Sequence, residues 1–358
     1  MSAFTVQPNT PKFDPKKILI ILHGSIGDVT RALPLADSLR RGFPHAFLAW
    51  SVEPPSLPLL QENPAVDEII VFDRPRGWKT FGRFLARIRA EHFDLVLDLQ
   101  RHFKSGLISR WSGAGQRIGF GRGDSKELNW LYNNLHIDTY GEAFSKLEHY
   151  LRFADYLGVP RAPLEWNFHL TAAEWNAVEN HLSQVRPFAV LFVGARWESK
   201  RWFAGQIARC AEILCEDYRF DVVLLGGKED RSLALEAAAE ARVGITNLVG
   251  RTSLREAIGI IDRALLAVGP DTGLMHIAAA VGTPVISLWG ATNPERTGPY
   301  GFNNLVIQGQ APCVPCNRRR CSIGRVCMKS ISARQIADKI EFAIGRGSSQ
   351  QVHGAPRL

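Results

Sequence analysis

A carboxylate beside two glycines, directly after an aliphatic run, is the first place in this chain where chemistry could occur. His23-Gly24-Ser25-Ile26-Gly27-Asp28 follows Ile18–Leu22, and glycines there let the backbone turn and come close to a ligand. Pro34 lacks an amide donor and is best tolerated in a first helical turn, so a helix starting near Thr30 is expected, with Asp28 in the loop before it. A carboxylate in such a loop can accept a proton from a substrate hydroxyl as a general base. It can equally cap the helix, and the local residues leave both readings open.

Three further constellations share that placement at the end of an apolar run. Gly194-Ala195-Arg196-Trp197-Glu198-Ser199-Lys200-Arg201-Trp202 follows Phe188–Phe192. Its lysine and arginines suit a pyrophosphate, although charged runs of this kind are also ordinary solvated loops. Gly226-Gly227-Lys228-Glu229-Asp230-Arg231 follows Asp221–Leu225; paired glycines allow close backbone approach, and Glu229 or Asp230 could bind ribose hydroxyls. Gly269-Pro270-Asp271-Thr272-Gly273-Leu274-Met275-His276 follows Leu265–Val268. Asp271 or Thr272 can cap a helix whose free amides and positive end would take a diphosphate. His276 reads either as part of that site or as a packed histidine.

Two clusters stand apart. Cys313, Cys316, Cys321 and Cys327 are interleaved with Arg318, Arg319, Arg320 and Arg325. Four cysteines so crowded can hold a structural zinc or an iron–sulfur cluster, although the spacing matches neither usual pattern closely. Free thiols or a disulfide pair are the other readings. Arg74, Arg76 and Lys79, with Arg83, Arg87 and Arg89 downstream, form a basic patch that suits a phosphorylated acceptor or is plain solvated surface. No nucleic-acid-binding module is present, so nucleic acid is not expected as a partner.

Those residues need a scaffold of alternating strands and helices. Ile18–Leu22, Ala46–Ser51, Glu68–Val71 and Leu95–Leu97 predict strands in the first half, separated by amphipathic patterns such as Leu33–Arg41. Phe188–Phe192, Asp221–Leu225, Leu265–Val268, Pro284–Leu288 and Leu305–Ile307 predict strands in the second. Such alternation implies parallel sheets and an α/β fold. Gly158, Pro160 and Pro163 break the periodicity, placing a link there. The expected organisation is a tail over 1–16, a Rossmann-like domain over 17–165, a second over 166–345 and a tail over 346–358. Two such halves face each other across a cleft, and open parallel sheets bind ligands beyond their strand carboxyl ends.

Length and composition agree with an ordinary globular protein: 358 residues, 46% hydrophobic and 22% charged. No stretch reaches the ~20 apolar residues that cross a bilayer, and Pro8, Pro11 and Asp14 interrupt the N-terminus where a signal peptide needs an apolar core. A cytoplasmic protein is expected. Lys and Arg outnumber Asp and Glu by 43 to 35, a net charge of +8, which is compatible with an anionic partner.

With these residues in place, the chain resembles glycosyltransferase family nine, the lipopolysaccharide heptosyltransferases, from about Lys17 to Ile344. The resemblance is carried by Gly27-Asp28-Val29 with Leu33-Pro34, by Lys200-Arg201-Trp202, and by Asp271-Thr272-Gly273-Leu274-Met275-His276. Asp98-Leu99-Gln100, Lys104-Ser105 and the closing cysteines support it, the last resembling the heptosyltransferase II branch. The resemblance implies a B-type glycosyltransferase fold: two Rossmann-like domains, acceptor on the first, nucleotide sugar on the second. It further implies an inverting transfer of heptose from ADP-heptose to the Kdo or heptose of the inner core on lipid A. Asp28 corresponds to the catalytic base and Lys200 to the lysine at the donor diphosphate. Arg196, Gly226, Gly227, Asp230, Asp271, Thr272, Gly273 and His276 fall on the donor side, and Gly27, Arg74, Arg76, Lys79 and Lys104 on the acceptor side. No cofactor is required for that reaction, and a lipid-linked acceptor implies peripheral contact with the inner face of the inner membrane. The chain departs from the family pattern at Ser145-Lys146-Leu147-Glu148, where members often carry a histidine in place of Ser145, and at Ala195-Arg196, where Thr or Ser is common before the lysine loop. The alternatives are another nucleotide sugar or glycan acceptor, or a non-catalytic sugar-nucleotide-binding protein on the same scaffold.

Overall fold

In a parallel sheet covered on both faces every strand must be apolar along its length, and the aliphatic runs of this chain meet that demand. In the computed structural model, which describes residues 13–73, 77–139, 144–185 and 187–347, they become the inner strands of two sheets. The chain divides into two compact units, Met1–His169 and Leu170–Leu358.

The first unit contains β1 (Lys17–Ile21), β2 (Phe47–Val52), β3 (Glu68–Val71), β4 (Leu95–Asp98), β5 (Gln116–Phe120) and β6 (Leu135–Ile137), in the order β3-β2-β1-β4-β5-β6. The second contains β7 (Phe188–Phe192), β8 (Asp221–Leu225), β9 (Ile245–Asn247), β10 (Leu266–Pro270), β11 (Val285–Trp289) and β12 (Val306–Gln308), in the order β12-β11-β10-β7-β8-β9. All neighbouring strands run parallel. Both sheets have the doubly wound order, so strand order reverses between β1 and β4 and again between β7 and β10. Ligands of such sheets bind at that reversal, beyond the carboxyl ends.

The elements differ from the sequence expectation in instructive places. β5, β6 and β9 were not foreseen. β5 opens on Gln116 and Arg117, and β6 and β9 have three residues each, too few to show a period. The first helix covers Ile26–Gly42, starting at Ile26 rather than near Thr30, because Ser25 caps it; Pro34 lies well inside, at the expense of one helical hydrogen bond. Packed chain also begins before Lys17. Phe13 is buried with its ring 6.0 Å from that of Tyr156, and the Lys16 amide donates to Asp94.

The cores are built from the strands' inner faces. Trp50, Trp202 and Trp289 are completely buried, each removing roughly 150–250 Å² from water, worth about 4–6 kcal/mol of transfer free energy. Trp202 matters beyond packing, since it anchors the end of the loop that carries Lys200. No helix among the described residues is long and apolar enough to cross a membrane.

Candidate active site

At the reversal in the first unit, Asp28 is drawn into the first turn of the helix Ile26–Gly42. Its Oδ2 accepts from the Ser25 amide at 3.2 Å and from the Ser25 hydroxyl at 2.8 Å, while the Ser25 hydroxyl faces the Asp28 amide, completing a capping box. The turn is tight enough that a Cβ on Gly24 would lie 2.7 Å from the Asp28 Cβ, so only glycine fits there. The other carboxylate oxygen, Oδ1, is held by Lys146 Nζ at 2.6 Å and by Arg31 Nη2 at 2.8 Å. Burial alone would raise the Asp28 pKa; the Lys146 and Arg31 charges and the hydrogen bonds from Lys146 and Ser25 outweigh it and hold the group far below the carboxylate range. Asp28 is therefore both the returning arm of the Ser25 capping box and a doubly paired anion.

Other residues around this sheet sort into working and supporting parts. Gly27 is buried in the first helical turn. Lys79 and Lys104 are exposed near the starts of the helices Trp78–Ala90 and Phe103–Trp111, after β3 and β4. Arg74 and Arg76 lie outside the described residues. Asp98 is fully buried at the end of β4, accepting from Asn129 Nδ2 at 2.6 Å and from the Gln100 amide at 3.1 Å. Burial raises its pKa against the pull of those hydrogen bonds. It pins the Asn129 turn to the sheet.

At the reversal in the second unit, loops after β7, β10 and β11 converge. Lys200 Nζ lies 2.5 Å from Asp271 Oδ2, and Thr292 Oγ1 donates to that oxygen at 2.7 Å. The ammonium stands 4.4 Å from the centroid of the Trp197 ring, a cation–π distance. Lys200 and Asp271 side chains are 15% and 10% exposed, so the pair is largely withdrawn from solvent. The helix Gly273–Ala280 begins beside it, and its N-cap Thr272 makes no side-chain hydrogen bond to it. Its first amides are left to whatever anion arrives. His276 is buried on this helix, and Arg196 is exposed.

The turn after β8 assigns its two acids differently. Asp230 is turned inward: its Oδ2 accepts from the Gly227 amide at 3.0 Å, and its carboxyl fills the space beside Gly194, where a Cβ would come within 2.0 Å. Burial raises the Asp230 pKa, opposed by the Gly227 amide. Glu229 is the exposed carboxylate of the turn. Asp230 thus joins the turns after β7 and β8 beneath Gly194, Gly226 and Gly227.

The cysteine segment does not present the ligand set anticipated for zinc or an iron–sulfur cluster. Among the described residues no group of three or more His, Cys, Asp or Glu side chains is placed to hold a metal ion, and Cys313, Cys316, Cys321 and Cys327 are all free thiols. Cys313 is exposed, Cys321 Sγ accepts the Arg325 amide at 3.1 Å, and Cys327 is buried. Burial pushes the Cys327 thiol pKa up, which opposes thiolate ligation.

Sequence reasoning missed Arg31, Lys146 and Thr292. Arg31 carried a signal, because residues three apart share a helix face. Lys146 and Thr292 are distant in sequence from the carboxylates they touch, and only the fold brings them there.

A doubly wound pair of units with a carboxylate at one sheet's reversal and a lysine beside an open helix start at the other is the layout of a B-type glycosyltransferase. The profile of glycosyltransferase family 9 (heptosyltransferase) matches residues 81–327, and the chain belongs to that family. It is 29% identical over 295 residues to the lipopolysaccharide core heptosyltransferase OpsX of Haemophilus influenzae, covering 81% of this chain and 83% of that one. It is also 29% identical over 309 residues to lipopolysaccharide heptosyltransferase 2 of Escherichia coli, covering 82% and 88%. In fold it is similar to the E. coli ADP-heptose lps heptosyltransferase II, with a TM-score of 0.74 and 24% identity over 93% of this chain and 99% of that one. A family 9 glycosyl transferase from Veillonella parvula superposes with a TM-score of 0.80 at 19% identity, covering 94% and 99%.

Proposed function

We propose that this enzyme transfers a heptose from ADP-heptose to the Kdo or heptose of the lipopolysaccharide inner core, inverting the anomeric carbon. The observation that carries the donor half is the Lys200–Asp271 pair beside the uncapped start of the helix Gly273–Ala280. That combination offers a fixed cation and free amides to a diphosphate, which suits a leaving group whose charge grows in the transition state. Glu229, the exposed acid of the Gly226-Gly227 turn, is the carboxylate suited to ribose hydroxyls.

In the proposed reaction the acceptor oxygen attacks the anomeric carbon, the bond to the diphosphate breaks, and ADP leaves with the bonding pair. The proton of the acceptor hydroxyl goes to Asp28. Lys146 and Arg31 keep Asp28 ionised, which is the form that accepts a proton, but they also make it a weak base. Proton transfer is favourable once the new carbon–oxygen bond has made the hydroxyl strongly acidic, so it follows attack. Lys200 and the amides after Thr272 stabilise the departing diphosphate through the chain's own charges.

The proposed acceptor is lipid-linked, so the enzyme is assigned to the cytoplasmic face of the inner membrane as a peripheral protein, with Arg74, Arg76, Lys79 and Lys104 as the basic residues offered to anionic groups. The deciding experiment is nucleotide release from ADP-heptose, compared with UDP-sugars, in the presence of Kdo–lipid A acceptors. Release of ADP only when donor and acceptor are both present supports the reading. Turnover with a UDP-sugar and none with ADP-heptose overturns the donor.

A further inference from the structure

The cysteine segment has no part in that reaction, yet it grips the loop that carries Lys200 from both sides. Before the lysine, the Ser199 amide donates to the Arg319 carbonyl at 3.2 Å and the Ser199 hydroxyl to the Arg318 carbonyl at 2.5 Å. Glu198 accepts the Cys321 amide at 2.9 Å and pairs with Arg325 Nε at 3.2 Å. After the lysine, Arg325 Nη1 donates to the carbonyls of Arg201 and Trp202 at 3.1 and 3.4 Å, and the guanidinium lies 4.1 Å from the centroid of the Phe203 ring.

The segment and the residues just after it are themselves fixed to the loop after β11 and to the helix Ala204–Glu216. The Asn317 amide donates to the Ala291 carbonyl at 2.7 Å, one residue before Thr292. Gln206 Nε2 donates to the Met328 and Ile331 carbonyls at 3.1 and 2.9 Å. Gly290 and Gly309 give Cys327 its seat: a Cβ on the first would lie 2.8 Å from its sulfur, and on the second 1.9 Å from its carbonyl oxygen.

We propose that Arg325 is a positioning residue for Lys200, and that the segment over 313–327 is the strut through which it acts. A lysine places a point charge at the end of a flexible stem, so the accuracy of that charge depends on how firmly its backbone is held. A planar guanidinium that reaches a carboxylate, two carbonyls and an aromatic face supplies that hold with one side chain. Ordering the loop before the ligand arrives removes a cost that binding would otherwise bear. The inference rests on the reading of Lys200 as the diphosphate cation.

The test is calorimetry with ADP on the full-length protein and on Arg325→Met, Arg325→Lys, Glu198→Gln, Lys200→Ala and the double variant Lys200→Ala/Arg325→Met. Arg325→Met should weaken ADP binding about tenfold, or about 1.4 kcal/mol, and raise KM for the donor while sparing KM for the acceptor. Arg325→Lys should recover part of the loss. Glu198→Gln, at a half-exposed side chain that keeps an acceptor, should cost about threefold and serves if Arg325→Met does not fold. In the Lys200→Ala background the Arg325→Met effect should shrink to less than about twofold, because residues acting through one group are not additive. A full tenfold effect in that background would show that Arg325 acts otherwise than through Lys200 and would overturn the proposal. So would normal ADP affinity in both Arg325→Met and Glu198→Gln while Lys200→Ala binds poorly. Unchanged affinity in Lys200→Ala would overturn the diphosphate placement, and this inference with it.

Discussion

Two helices begin at the two strand-order reversals of this molecule, and their first turns are finished in opposite ways. The helix Ile26–Gly42 is closed by its own residues: Ser25 caps it, Asp28 returns the bond, and the Asp28 charge offsets the helix's positive end. The helix Gly273–Ala280 has no side-chain cap, and the nearby Asp271 carboxylate is taken up by Lys200 and Thr292. A helix start is an anion site by default. In the first unit the protein supplies the anion itself and so fixes a carboxylate in place; in the second the proposed function gives that position to the donor diphosphate. One fold repeated in one chain thus fixes a carboxylate at one helix start and leaves the other without a side-chain cap.

The largest effect expected from breaking that contrast is at Asp28. Asp28→Asn keeps the shape of the turn and removes the base, so transfer should fall by ~10²-fold or more, with ADP affinity unchanged. A variant turning over at the wild-type rate would remove Asp28 from the chemistry. The matching change in the second unit, Lys200→Ala, should weaken ADP and the nucleotide sugar together by roughly 10- to 150-fold, the value of a charge-assisted contact.

A subtler change asks what the cations around Asp28 do. A group with a depressed folded pKa contributes stability above its unfolded pKa and loses it as pH falls through the folded value. For Asp28 the Lys146 and Arg31 charges place that loss below about pH 4, the unfolded value, so the wild-type pH–rate profile should have no acid limb from this group above it. Lys146→Met removes one close opposite charge, which should raise the Asp28 pKa toward the usual carboxylate range. Both proteins begin to lose the Asp28 contribution at the same unfolded pKa, but the variant has less of it to lose and levels off at a higher pH, and any acid limb of kcat/KM should move up with the folded pKa. Profiles that superpose would mean that Lys146 does not set the charge state of the carboxylate.

The basic patch of the first unit calls for a separate measurement. Neutralising Arg74, Arg76 and Lys79 together should raise KM for the lipid acceptor and weaken pelleting with anionic vesicles, at about 1 kcal/mol per basic residue near the surface. The loss should be clearest at low salt, and ADP binding should be spared. Equal vesicle binding by the variant would make the patch ordinary solvated surface.

How far the sequence could be read depended on whether a feature was local. Most inner strands were legible because full burial imposes a continuous aliphatic run, as in Ile18–Ile21 and Val222–Leu225; β5, also an inner strand, opens on Gln116 and Arg117 and shows no such run, and β6 and β9, at sheet edges, have no such constraint. The reaction class was legible from motifs at strand ends. Pro34 misleads because proline favours a first helical turn, whereas the four residues Ser25–Asp28 carry a capping box that starts the helix earlier. The setting of each charge was not legible. Lys146 lies 118 positions from Asp28, and Thr292 lies 21 from Asp271, so these pairs exist only after the sheet has formed. The cysteines show the same limit: their crowding left a metal, free thiols or a disulfide open, and only the fold shows their segment hydrogen-bonded to the loop that carries Lys200.

The smallest expected effect bears most directly on the two helix starts. Ser25 and Thr272 are both hydroxyl residues at N-caps, and from sequence they are equivalent. Ser25 makes the capping bond and Thr272 does not. Ser25→Ala should therefore cost about 1 kcal/mol of stability, a fall in Tm of about 2–4 °C for a domain of this size. The loss should be larger if the Asp28 carboxylate then shifts away from Lys146 and Arg31. Thr272→Ala removes no such bond and should leave Tm within about 1 °C, on the scale of surface substitutions within ±0.5 kcal/mol. ADP should reverse the ranking. A hydroxyl beside an incoming diphosphate gains a partner only on binding, so Thr272→Ala should lower ADP affinity by a few-fold, about 0.5–1.5 kcal/mol for a neutral hydrogen bond, and Ser25→Ala should leave it alone. Equal losses of stability in the two variants, with ADP affinity unaffected in both, would mean that both helices are capped alike and that the second offers no open anion site.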